Sequence, residues 1–193
     1  MKTLLKNKIL YLIIIILIIF AVSLKIIFNT NNTEESLLDK YQLTGLSVEE
    51  MVSRLDKITN ESKRFKASIT GTKLIISEGE FYKEYSLPED KFYVSIAPYI
   101  NDTHGCEIHS LSGCKGEISD QIFEIDILSK DGSVIYSKQK RSMENGFIGI
   151  WLPKNIEAEM TIKYFDKEVK TNISTYVSSN TCITTPLRLK SVQ

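Results

Sequence analysis

Both histidines and two of the three cysteines of the chain fall in one short stretch, His104-Gly-Cys-Glu-Ile-His-Ser-Leu-Ser-Gly-Cys114. The third cysteine, Cys182, stands far downstream in Asn180-Thr-Cys-Ile-Thr-Thr185. Thiolates are soft donors and imidazole is a borderline one, so such a set selects thiophilic metals. If Cys182 folds back onto the stretch, Cys106, Cys114 and Cys182 make a copper site. His104 and His109 then stand beside it as assisting ligands. Gly105 and Gly113 adjoin two of the cysteines and let the backbone bend to bring the ligands together.

Three thiolates suit Cu(I), which accepts low coordination and prefers soft donors, and the imidazoles could receive Cu(II). Zinc is the alternative occupant. Two thiols can also pass electrons to two Cu(II) ions while closing a disulfide, so copper binding and thiol chemistry are compatible. A plainer reading stands beside these: an exported domain with one structural disulfide and a leftover thiol. Other chemistry finds little support. The sequence has no P-loop, no G-x-G-x-x-G and no C-x-x-C, and Ser110 beside His109 makes no Ser-His-Asp arrangement. With 24 basic and 24 acidic residues among 193, the chain carries no electrostatic footprint for nucleic acid.

The elements that must position these residues lie outside the cytoplasm. Lys2, Lys6 and Lys8 precede an apolar run from Ile9 to Leu24, and Ile26-Ile-Phe28 follows Lys25. Residues 1–28 therefore read as a signal peptide or an N-terminal membrane anchor, with the anchor favoured by the Ile density and the weak exit site. The basic head stays inside and the body is exported, tethered to the membrane or released if cleaved. Residues 29–36 read as a polar linker. Residues 37–100 read as a helix followed by β-hairpins. Ser47 and Glu50 have capping-box spacing, and Val48, Met51, Val52, Leu55 and Ile58 form a helical stripe that Asn60–Arg64 ends. From Phe65 the period changes to two, with a hairpin turn at Gly71-Thr72, and Lys91–Pro98 is a strand leading into the His/Cys stretch. Residues 101–193 read as the metal-site loop and a β-rich C-terminal part. The expected fold class is α+β, mostly β: a small antiparallel β-sandwich-like C-terminal part with an N-terminal helix and β-hairpins.

Together, Ala97-Pro-Tyr99, Thr103-His-x-Cys106, His109-Ser-Leu111, Cys114-x-Gly-Glu117, Asn145-Gly-Phe147, Trp151-Leu-Pro153 and Thr181-Cys-x-Thr-Thr185 resemble the CueP family of exported copper-binding proteins. Leu87-Pro88, Phe92-Tyr93 and the preceding helix belong to the same resemblance, which spans roughly residues 40 to 190. It implies a periplasmic or surface-attached protein of copper tolerance. It also implies that copper is held by Cys106, Cys114 and Cys182, with His104 and His109 secondary, and is passed to an exported cuproprotein such as a Cu,Zn superoxide dismutase. Cu(II) reduction by the thiols, and a homodimer formed through the helix-containing N-terminal portion, are implied by the resemblance as well.

Overall fold

The computed structural model describes residues 2–58 and 64–192; for residues 2–12 and 26–33 it describes the backbone alone. The chain divides into two units, Met1–Gly45 and Leu46–Gln193. The first is built on helix α1, Lys2–Lys40. It runs unbroken through 29–36, the stretch read as a linker, and nothing in the described side chains accounts for that. Among the described residues no helix is long and apolar enough to cross a membrane. The basic head Lys2, Lys6 and Lys8 lies among the residues whose side chains are not described.

The second unit opens with helix α2, Val48–Leu55. Its first turn is a closed capping box: the Ser47 side chain accepts from the Glu50 backbone N–H, and the Glu50 carboxylate accepts from the Ser47 N–H at 2.8 Å. Met51, Val52 and Leu55 are its buried stripe, and the helix stops at the buried Asp56. The break read at Asn60–Arg64 falls, Arg64 apart, outside the described residues.

The remainder is strand. Strands β1 (Phe65–Ile69), β2 (Lys73–Glu78) and β3 (Phe81–Ser86) form an antiparallel meander, with the expected turn between Ile69 and Leu74. Strand β4 (Lys91–Ile96) leads to the site loop, and β5 (His109–Ser110) adds to the free edge of β1. Strands β6 (Ile122–Ser129), β7 (Val134–Arg141), β8 (Ile148–Pro153), β9 (Glu157–Tyr164), β10 (Lys167–Ser174), β11 (Cys182–Ile183) and β12 (Lys190–Ser191) complete three sheets. Their orders are β3-β2-β1-β5, β11-β4-β8 and β12-β10-β9-β6-β7. The expected class, α+β and mostly β with antiparallel sheets, is what is seen. Among the described residues β11 pairs with β4 in parallel, and a parallel bridge joins Tyr99 to Arg188 just beyond. The boundary read between residues 100 and 101 falls inside this unit, because β1 and β4 pair with β5, β8 and β11 from beyond it.

The core lies between two of the sheets. Phe92, Val94 and Ile96 of β4 and Ile148, Ile150 and Leu152 of β8 pack against Phe123, Ile125 and Ile127 of β6 and Ala158, Met160 and Ile162 of β9. Side chains of a strand alternate between faces, so each strand gives every second residue to this layer. Strand β4 differs from its neighbours because both its faces are covered. The even-numbered residues fill the sandwich. The odd-numbered Tyr93, Ser95 and the following Ala97 face the other way, and that second face is the floor of the site.

Candidate metal centre

Three pieces of chain bring the sulfurs together. Cys106 sits on the loop after β4. Cys114 sits on a tight turn after β5, where the Gly113 and Cys114 N–H groups donate to the Ser110 carbonyl at 3.2 and 3.1 Å. Cys182 begins β11 and lies opposite Ser95 of β4. The segments are tied by backbone bonds: the N–H groups of Thr181 and Cys182 both donate to the Glu107 carbonyl, at 2.9 and 3.1 Å. Thr181 then bridges the two sides. Its hydroxyl accepts from the His109 N–H at 3.0 Å and donates to the Ile69 carbonyl at 2.6 Å. The Thr184 hydroxyl donates to the His104 carbonyl. These threonines explain how residues some 76 positions apart are held in contact.

Cys106 and Cys182 are joined as a disulfide, with Cα atoms 5.4 Å apart. Cys114 is a free thiol whose sulfur lies 3.5 Å from that of Cys106. The ligand atoms of Cys106, His109, Cys114 and Cys182 all lie within 4.8 Å of one another. Sulfurs sharing one trigonal metal, at bonds of about 2.3 Å, are about 3.5–4 Å apart. The sulfurs therefore form a compact triangle rather than a line: attack by Cys114 along the Cys106–Cys182 axis would put the outer sulfurs about 5.5 Å apart, given a disulfide length of about 2 Å. Cys182 is fully buried, whereas Cys106 and Cys114 are partly exposed. Cys114 also lines a cavity of about 300 Å³ with Lys115, Glu144 and Asn145, which opens the cluster on one side. A larger cavity, about 720 Å³, lies between Leu128–Gly132 and Glu157–Glu159 and contains no cysteine or histidine.

The two histidines part company. His104 is exposed, its ring 6.4 Å from that of Phe147, and it lies outside the group of four. His109 is fully buried, with its ring 4.8 Å from Phe147. Its Nε2 lies 2.8 Å from the Asp56 carboxylate, itself fully buried at the end of α2. Its Nδ1 has no hydrogen-bond partner among the described residues. Burial is the largest influence on this imidazole and pulls its pKa down. Asp56 and Cys114 together outweigh it and raise the pKa to about 9.

Asp56, Tyr93 and Asn145 are contributors that the sequence reading left out. The Tyr93 hydroxyl donates to the second Asp56 oxygen. The Asn145 amide donates to the Asp56 carbonyl at 2.9 Å, and its oxygen accepts from the Phe147 N–H at 2.9 Å. The motif Asn145-Gly-Phe147 was a signal of this, without a role attached. Around the sulfurs lie Ala97, Phe147 and Met143, so the donors sit in an apolar cup. Such a cup suits a soft, weakly hydrated ion, and the donor set of three sulfurs and one imidazole also suits zinc.

The fold and the cluster together define a β-sandwich protein with a group of soft donors that could hold a thiophilic metal. The family model for the periplasmic copper-binding protein CueP matches residues 50–187. A solved structure titled "Crystal Structure of S.CueP" superposes with a TM-score of 0.77 at 40% sequence identity, covering 81% of this chain and 97% of that one. No curated protein matches. The chain belongs to the CueP family of periplasmic copper-binding proteins.

Proposed function

We propose that this protein holds Cu(I) outside the cytoplasm and hands it to an exported cuproprotein, of which a Cu,Zn superoxide dismutase is an example. The thiolates of Cys106, Cys114 and Cys182 are the primary donors and His109 assists. His104, exposed at the rim, takes part in capture. The observation that carries this reading is the convergence of four donor atoms within 4.8 Å, drawn from distant parts of the chain. Three thiolates become available only when the Cys106–Cys182 bond is reduced, so Cu(I) loading requires two electrons from a thiol reductant. Anaerobic Cu(I) titration of the reduced protein against a competing chelator tests it: one tightly held equivalent is expected, and none beyond a chelator-level affinity would overturn it. Zinc in place of copper at this donor set is checked by competition between the two ions.

The disulfide supports a second reading of the same cluster. Two of the thiolates give one electron each to two Cu(II) ions, leaving the Cys106–Cys182 disulfide and two Cu(I) ions. Cu(II) reduction sustained over many turnovers by an external thiol distinguishes this from simple storage.

A membrane tether is part of the proposal as well. It is supported by the basic head and by the apolar side chains from Ile13 to Leu24, which are exposed on every side of the helix. Membrane fractionation of the full chain checks it. A homodimer through the helix-containing portion rests on the family resemblance, and sedimentation checks that.

A further inference from the structure

The metal reading uses one nitrogen of His109 at most, and the other is committed to a buried carboxylate. Asp56 reaches this place from far away in sequence: it ends α2, 53 residues before His109. Its surroundings are built to hold it. One carboxylate oxygen meets His109 Nε2 at 2.8 Å and the Asn145 amide at 3.4 Å; the other accepts from the Tyr93 hydroxyl. Asp56, His109, Tyr93 and Asn145 are all buried, at 0%, 0%, 4% and 8% exposure.

A second, independent feature keeps this arrangement open. Tyr93 crosses β8 at Gly149, and a Cβ built at Gly149 would collide with the Tyr93 hydroxyl. Only glycine there leaves the phenol room to reach Asp56. The carboxylate therefore receives three donors, from an imidazole, a phenol and an amide, which fill most of its acceptor sites and fix its orientation.

We infer that Asp56 is a positioning residue for the metal centre: it takes the Nε2–H of His109, fixes the ring, and leaves Nδ1 as the only imidazole donor available to a metal held by the three sulfurs. This rests on the copper reading above and adds to it which nitrogen binds and what aims it. A carboxylate that takes the far N–H of a ligating imidazole fixes the tautomer and ring orientation, and removing such a partner lowers metal affinity roughly 10–100-fold. The buried Nδ1, without a hydrogen-bond partner among the described residues, is the mark of this arrangement. Such an atom in a native core calls for an explanation, and a metal is one.

The test is a double-mutant cycle on the full chain, reduced and titrated anaerobically with Cu(I) itself. Asp56→Asn keeps the shape and removes the charge. Affinity is expected to fall about tenfold in the otherwise native protein and by less than about twofold in the His109→Ala background, because Asp56 acts through that ring. Equal losses in both backgrounds, or no loss in either, would overturn the inference while leaving the sulfur site intact. In the Cu(I)-loaded native protein, imidazole ¹⁵N shifts should report Nδ1 as the metal-bound nitrogen, and a metal-bound Nε2 would overturn it. If the native protein holds no Cu(I) at all, the copper reading falls and this inference with it. Should Asp56→Asn fail to fold, Tyr93→Phe enters the same cycle. There a severalfold loss that disappears without His109 is expected, and a loss that persists without it overturns the inference.

Discussion

Cys106 and Cys114 hold their sulfurs 3.5 Å apart, close enough to share one metal, although Cys106 is also bonded to Cys182. The cluster thus stands in an oxidised form of a site whose donors are already gathered. Reduction frees the thiolates of Cys106 and Cys182 to join Cys114 without requiring distant elements to move, since the Thr181 and Glu107 bonds hold the two segments together independently of the disulfide.

Accessibility separates the three cysteines. In the oxidised protein only Cys114 is expected to react with a soluble alkylating agent. After reduction under native conditions, Cys106 and Cys114 should be labelled before Cys182, which is fully buried. Mass spectrometry of timed samples gives the order, and early labelling of Cys182 would place it elsewhere.

The pairing of His109 with Asp56 makes the metal-free protein sensitive to alkaline pH. The folded-state pKa is raised to about 9, above the ordinary value of 6.5. The stabilisation is therefore complete below about pH 6.5 and is lost as pH rises through about 9. Thermal midpoints of the native chain should fall between pH 6.5 and 9.5, and His109→Ala should flatten that part of the profile. Metal binding at the same ring displaces a proton, so Cu(I) affinity should rise over the same interval.

Gly149→Ala should destabilise the fold by about 1–3 kcal/mol, because the added methyl meets the Tyr93 hydroxyl and something must shift. Denaturant unfolding measures the loss. Combining Gly149→Ala with Tyr93→Phe removes the colliding oxygen and should recover part of the stability.

Helix α2 carries Asp56, and its start is held by the capping box. Ser47→Ala should lower stability by about 1 kcal/mol, read as a shifted denaturation midpoint. Cu(I) affinity should change little, since the helix end that bears Asp56 lies two turns away.

Much of this was legible in the chain. The capping box is a short-range signal, and the alternation of Phe123, Ile125 and Ile127 or Ala158, Met160 and Ile162 marks buried strand faces directly. The sulfurs stood out because cysteine and histidine are rare here and gathered together. Asp56 did not stand out, because a single carboxylate among dispersed acids looks like a solvated surface group, and only the tertiary fold takes it to the end of a helix beside His109. Tyr93 sits in an apolar strand and is buried like a core residue, so nothing in the sequence marks that its hydroxyl holds Asp56. The parallel pairing of β11 with β4 was likewise hidden, since a two-residue strand has no periodicity to read. His104 and His109 look alike in sequence, and only burial tells them apart.

The most direct test of the account is the copper coordination shell of the reduced, Cu(I)-loaded chain, measured by X-ray absorption for the native protein and for Cys182→Ser. The account predicts three sulfur neighbours in the native protein and two in the variant, with an affinity drop of at least about 100-fold on losing the third thiolate. An unchanged shell and affinity in Cys182→Ser, or a shell of oxygen and nitrogen alone, would contradict it.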